Sequence, residues 1–175
     1  MTYIALLHSI ILTEGRRVIM ADLRAVAAGL GYENPRTLLA TGNLIFEAEQ
    51  QPVEVIEQAL EGAFAAAMGK HIDIIVRTAD EWHRLAGNNP FPKESVAHGD
   101  RIGIRVQRRP LSNAMWQMIE EKSADAEVRR IDDDLWVAFP AKASESRLLG
   151  HLTTKKLGAG TLRNWNTVRR IADAL

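Results

Sequence analysis

Apolar positions along this chain change their spacing several times, and each change marks an element. Tyr3-Ile4-Ala5-Leu6-Leu7 is an unbroken apolar run with the length of a buried strand. Residues 13–17 form a polar loop. From Met20 the positions Met20, Leu23, Val26, Ala27 and Leu30 follow helical spacing, and Gly29 and Gly31 supply a stop. Asn34-Pro35 breaks the chain, and Thr37-Leu38-Leu39 reads as a strand. Thr41-Gly42-Asn43 reads as a hairpin turn into Leu44-Ile45-Phe46-Glu47, since Gly and Asn tolerate positive φ. Pro52 opens a second helix with the face Ile56, Leu60, Ala63, Phe64 and Ala67. Gly69 closes it, and Ile72–Val76 is a further strand. The order β-α-β-β-α-β is the split βαβ arrangement of ferredoxin-like folds.

The second half repeats most of this order. Thr78-Ala79-Asp80-Glu81 is a capping box, and the helix it starts buries Trp82 and Leu85 before Asn88-Asn89-Pro90 ends it. Arg101 to Gln107 alternates, with Ile102, Ile104 and Val106 on one face and Arg101, Gly103 and Arg105 on the other. A helix over 111–122 carries Met115, Met118 and Ile119. A hairpin follows, with Glu127–Ile131, a turn at Asp132-Asp133-Asp134, and a strand over 135–139. Ser144 caps a predicted helix through Leu148, Leu149, Leu152 and Leu157, and Gly158-Ala159-Gly160 breaks it. The last predicted element is a basic helix, with no clear sixth strand. The expected fold is therefore α+β, with two ferredoxin-like halves of antiparallel-rich sheet and packed helices: residues 1–77, a connecting helix and loop over 78–100, and residues 101–175.

Composition adds exclusions. The chain has 175 residues, 46% hydrophobic and 25% charged, which suits a globular protein rather than a disordered one. Its 22 basic and 22 acidic residues cancel, so bulk charge implies neither a nucleic-acid nor a membrane partner. The balance is uneven, however: residues 142–175 hold seven Lys/Arg against two Asp/Glu. The absence of cysteine excludes disulfides, thiolate catalysis and Cys-ligated metals. The run Ile4–Leu12 has no basic start, carries His8 and Ser9, and is too short to span a bilayer, so a soluble cytoplasmic protein is expected.

Catalytic signatures are absent. There is no Walker A loop, dinucleotide fingerprint, nucleophile elbow or His-Glu-x-x-His helix, so no catalytic residue, metal or cofactor is assigned. His8, His71, His83, His98 and His151 are scattered. Asp132-Asp133-Asp134 reads as a solvated turn, and Arg108-Arg109-Pro110 as a charged loop.

The stretch from Gly158 to Val168 concentrates chemistry. Read as a helix start, it exposes N–H groups that attract anions, and its glycines let a ligand approach the backbone. Lys155, Lys156 and Arg163 add charge, and Trp165 offers a stacking surface. The candidate ligand site is Thr41, Gly42 and Asn43 with Lys155, Arg163, Asn164, Trp165 and Asn166. The same residues also fit a purely architectural role. Trp165, Val168, Ala172 and Leu175 lie at helical spacing and would dock the last helix on a sheet, and Asn164 would serve as an N-cap.

Met20-Ala21-Asp22-Leu23-Arg24, Thr41-Gly42-Asn43-Leu44-Ile45-Phe46, Asn89-Pro90-Phe91 and Arg163-Asn164-Trp165-Asn166-Thr167-Val168 together resemble a bacterial family of unknown function, DUF1697. The resemblance implies no reaction. Family members usually follow the first strand with arginine, glycine, isoleucine and asparagine and then a glycine-rich loop. Here the positions read His8-Ser9-Ile10-Ile11, followed by Leu12-Thr13-Glu14.

Three readings stay open. The first is a protein that binds a small anionic or phosphate-containing molecule where the two halves meet. The second is a nucleic-acid binder using the Arg101/Arg105 sheet face and the basic tail, although Phe46 stands alone where RNA-recognition sheets carry several aromatics. The third is a structural or protein-interaction module. Oligomeric state is not fixed by the sequence.

Overall fold

The computed structural model describes residues 1–11 and 17–175; residues 12–16, and with them most of the polar loop expected over 13–17, lie outside the described residues. The chain divides into two compact units, Met1–Arg84 with Leu175, and Leu85–Ala174. No helix among the described residues is long and apolar enough to cross a membrane.

The first unit runs β1 (Thr2–Leu7), α1 (Met20–Gly29), β2 (Glu33–Thr37), β3 (Asn43–Glu47), α2 (Val53–Met68) and β4 (Ile74–Thr78). Its four-stranded sheet has the order β2-β3-β1-β4, with every pairing antiparallel. Alternate residues of β1 share a face. Tyr3, Ala5 and Leu7 join Leu44, Phe46, Ile74 and Val76 in a core sealed by Leu23 and Ala27 of α1 and by Ile56, Leu60 and Phe64 of α2. Phe46 stacks with Tyr32 at 4.7 Å and with Tyr3 at 5.8 Å. Gly69 ends α2 in the left-handed region, at φ 73°, as a C-terminal glycine should.

Three expectations change here, the first being that the strand expected at Thr37-Leu38-Leu39 runs instead over Glu33–Thr37, with Leu39 at φ 61° beyond its end. Asn34-Pro35 does not break the chain but lies inside β2, with a register shift between Glu33 and Arg36 and Asn34 at φ 49°. An edge strand tolerates proline at such a bulge because no ladder N–H is needed there. Ala67 is exposed, whereas Glu57 is buried on α2. Its Oε1 accepts the Val76 N–H at 2.9 Å, and Oε1 of Glu61, one turn on, accepts the Ile74 N–H at 2.8 Å. One helical turn nearly matches the two-residue repeat of a strand, so two carboxylates four residues apart reach alternate N–H groups of β4.

The helix α3 (Ala79–Gly87) starts at the expected capping box. The Thr78 N–H donates to Glu81 Oε2 at 2.8 Å, and the Glu81 N–H donates to Thr78 Oγ1 at 3.2 Å.

The second unit contains α4 (Pro92–His98), β5 (Ile102–Gln107), α5 (Asn113–Lys122), β6 (Glu127–Ile131), β7 (Asp134–Ala138), α6 (Thr154–Leu157), β8 (Gly160–Asn164) and α7 (Trp165–Ala172). Its antiparallel sheet has the order β6-β7-β5-β8, the same order as the first sheet. The fold is α+β, with two ferredoxin-like halves. The closing strand that the sequence did not show exists as β8, the fourth strand of this sheet, which pairs with β5 from Gly103↔Asn164 to Gln107↔Gly160. The helix expected from Ser144 is replaced by two 3-10 turns, Ala143–Glu145 and Arg147–His151, before the single turn of α6. Ser146 takes the capping role, its Oγ accepting the Leu148 N–H at 3.1 Å. Asp134 is buried rather than solvated: its Oδ1 accepts the Gln107 N–H at 2.8 Å.

Candidate functional site

The segment from Gly158 to Asn166 is a strand followed by a helix start, not the helix start alone. Gly158 sits at φ 75° after α6, a position few side chains adopt. Gly160 begins β8, and a Cβ there would lie 2.7 Å from Gln107 Oε1 and closer still to the Arg105 guanidinium. These glycines therefore accommodate a strand packed over Arg105, and α7 starts only at Trp165.

Within β8, Thr161 and Arg163 alternate with Leu162. Leu162 packs on the apolar cluster of this unit, while Arg163 is 9% exposed and donates to Thr161 Oγ1 at 2.6 Å and to the Leu162 carbonyl at 3.0 Å. Burial pushes its guanidinium down to about 10. Asn164 is the N-cap of α7, its Oδ1 accepting the Thr167 N–H at 3.0 Å and the Thr167 hydroxyl at 2.8 Å. Trp165 is only half-buried and tilts against Trp136 at 5.9 Å; the face that α7 buries is Thr167, Val168 and Ile171. Asn166 is exposed, with its Oδ1 close against Gly99. Lys155 is exposed on α6.

Thr41, Gly42 and Asn43 belong to the first unit. Gly42 has φ 73°, and a Cβ there would lie 2.8 Å from Ile10 Cγ2 and 2.9 Å from Leu7 Cβ. Asn43 is fully buried at the start of β3, and its amide donates to the Leu38 carbonyl and to Thr41 Oγ1, both at 2.9 Å. These bonds hold the turn together.

Arg105 is 1% exposed and does not present an open sheet face. It lies on the side of the sheet shared with Gln107 and covered by the irregular 143–157 segment. Its Nε donates to the Leu152 carbonyl at 3.1 Å, Nη2 to the Gly158 carbonyl at 2.8 Å, and Nη1 to Gln107 Oε1. Burial pushes this guanidinium down to about 10 as well. Arg101, just before β5, donates to the Pro140 carbonyl. The Arg101/Arg105 surface expected to meet nucleic acid is thus not a shared exposed face.

Arg108-Arg109-Pro110, read from sequence as a charged loop, instead borders a cleft. The cleft holds about 380 Å³ and is lined by Arg108, Arg109, Pro110, Ser112, Met115, Leu157, Gly158 and Ala159. The Arg108 N–H donates to the Ala159 carbonyl at 2.9 Å, which ties the two walls together. None of the described residues lining it is acidic. A larger groove of about 880 Å³ lies between α1 and α2 of the first unit, but among the described residues lining it Asp22 is the one that carries charge.

Comparisons with known proteins agree with this architecture. The family model described as Protein of unknown function (DUF1697) matches residues 1–136. The chain belongs to that family. The match ends inside β7, so Arg163-Asn164-Trp165, the stretch that most resembled the family from sequence, lies beyond it. No curated protein matches the chain. Among solved structures, the conserved bacterial protein SP0830 from Streptococcus pneumoniae is 19% identical, with a TM-score of 0.75 over 98% of this chain and 97% of that one. At that identity the likeness shows a shared fold. A putative chlorite dismutase, TA0507, is 15% identical over 99% of both chains, with a TM-score of 0.28, too low to carry an argument.

Proposed function

We propose that this family member binds a small anionic molecule, such as a phosphate ester or an organic acid, in the second unit. The observation that carries this reading is the cleft between Arg108-Arg109-Pro110 and Leu157-Gly158-Ala159, which has two arginines and no acidic lining residue among those described. Guanidinium groups present a planar fork of donors that matches carboxylate and phosphate oxygens. Met115, Pro110 and Leu157 supply apolar walls for the rest of such a molecule, in the usual division between orienting polar groups and apolar contact. Lys155, exposed two residues before Leu157, adds positive charge to the same segment. The excess of basic residues over 142–175 favours an anion as well.

Thermal shift with inorganic phosphate and a panel of phosphate esters and carboxylates tests the proposal. A ligand that binds only the native state raises the melting temperature by mass action, and the rise should shrink with added salt. Arg109 is exposed, so Arg109→Ala should leave the fold intact and abolish the shift. A shift that survives in Arg109→Ala, or none with any anion, overturns the reading.

A further inference from the structure

In the first unit we infer a divalent-metal site formed by Glu61, His71 and Asp73. The three side chains come from two elements, so no sequence spacing reveals them: Glu61 lies on α2, and His71 and Asp73 lie in the segment that leads into β4. In His71-Ile72-Asp73 the central Ile72 is 5% exposed and is part of the apolar core. Ile72, Ile74 and Val76 all join that core, a two-residue period that turns His71 and Asp73 to the other side of the chain. The backbone there is held, because the Asp73 carbonyl accepts the His8 N–H at 2.9 Å. The Glu61 carboxylate is oriented through its bond from the Ile74 N–H.

One ligand atom from each of the three residues lies within 4.8 Å of the other two. His71 Nε2 and Asp73 Oδ1 are 3.9 Å apart, too far for a hydrogen bond. Metal–ligand bonds of about 2.0–2.2 Å bring donor atoms to within roughly 3–4 Å of each other, a contraction that a mostly exposed imidazole can supply by a small rotation. One imidazole nitrogen and two carboxylates form a mixed N/O set, which suits a first-row divalent transition ion better than magnesium or calcium, whose sites are all oxygen. Three protein ligands also leave positions open for water.

The test uses tag-free, chelator-treated protein titrated with Zn2+ and with Co2+ near neutral pH. The expected results are one equivalent bound by calorimetry, a rise in melting temperature, and visible Co2+ absorption bands that report nitrogen and oxygen ligation. His71→Ala and Asp73→Asn, checked for native circular dichroism, should each weaken binding by at least about tenfold, the order seen even for groups one layer outside a metal. Mg2+ should produce no comparable shift. Absence of binding in the wild type overturns the site. So does undiminished binding in either variant, which would place the metal at other histidines.

Discussion

The two halves share a strand order but cover their sheets differently. In the first, α2 is a regular helix of 16 residues whose carbonyls are satisfied within it along most of its length. Its polar side chains are then available for the sheet, and Glu57 and Glu61 accept the N–H groups of β4. In the second, the same topological position is filled by two 3-10 turns and the four residues of α6. Such a segment leaves carbonyls without helical partners close to the core, where an unmet acceptor is costly. Arg105 reaches from β5 to meet those of Leu152 and Gly158. One half thus places anionic acceptors against strand donors, and the other places a cationic donor against loop acceptors. A ferredoxin-like sheet tolerates an irregular cover where a side chain with several donors stands beneath it.

This contrast can be broken from either side. Arg105→Ala should have the largest effect, about 3–5 kcal/mol in urea denaturation, because it opens a cavity, strands the buried Leu152 carbonyl and removes the donor to that of Gly158. Amides of β5 and β8 should lose most exchange protection; a loss under about 1 kcal/mol would mean that the irregular cover satisfies its own backbone. Gly42→Val should cost roughly 2–4 kcal/mol, combining a disfavoured positive φ with contact against Leu7 and Ile10. Glu57→Ala should cost about 1–3 kcal/mol by leaving the Val76 N–H unmet, while Glu57→Gln, which retains an acceptor oxygen, should recover much of it. Equal losses in the two Glu57 variants would show that charge rather than hydrogen bonding matters there. Trp165→Ala should be mildest, about 1–2 kcal/mol, since the indole is half-buried and its main aromatic contact is Trp136. A loss as large as that of Arg105→Ala would restore Trp165 to the packing role its spacing suggested.

Legibility in the sequence followed the burial of apolar residues. β1, α2 and β4 were plain because Ile4, Leu60 and Val76 are what their periods say they are, fully buried. The turn at Gly42 and the capping box at Thr78 were equally plain, since each rests on local chemistry. The elements that were missed invert the rule. β8 buries Thr161 and Arg163, so no apolar alternation announces it. α4 buries Ser95 and leaves Val96 91% exposed. β2 carries no apolar residue at all, and its proline sits at a bulge. The candidate site was harder to read for a related reason. A buried arginine and an exposed one look alike in sequence: Arg163 is buried in β8, whereas Arg109 is exposed at the rim of the cleft.

The two carboxylates on α2 bear on how copies of this protein meet one another. A sheet margin with open N–H groups is a template on which a neighbouring chain can add a strand, and crowded solutions of such proteins form fibrils or gels. In this chain the outward N–H groups of Ile74 and Val76 are already occupied from within the molecule. An incoming strand would have to displace two glutamates and would meet their negative charge where it seeks acceptors to copy. The helix thereby acts as a guard against self-association on that side of the molecule.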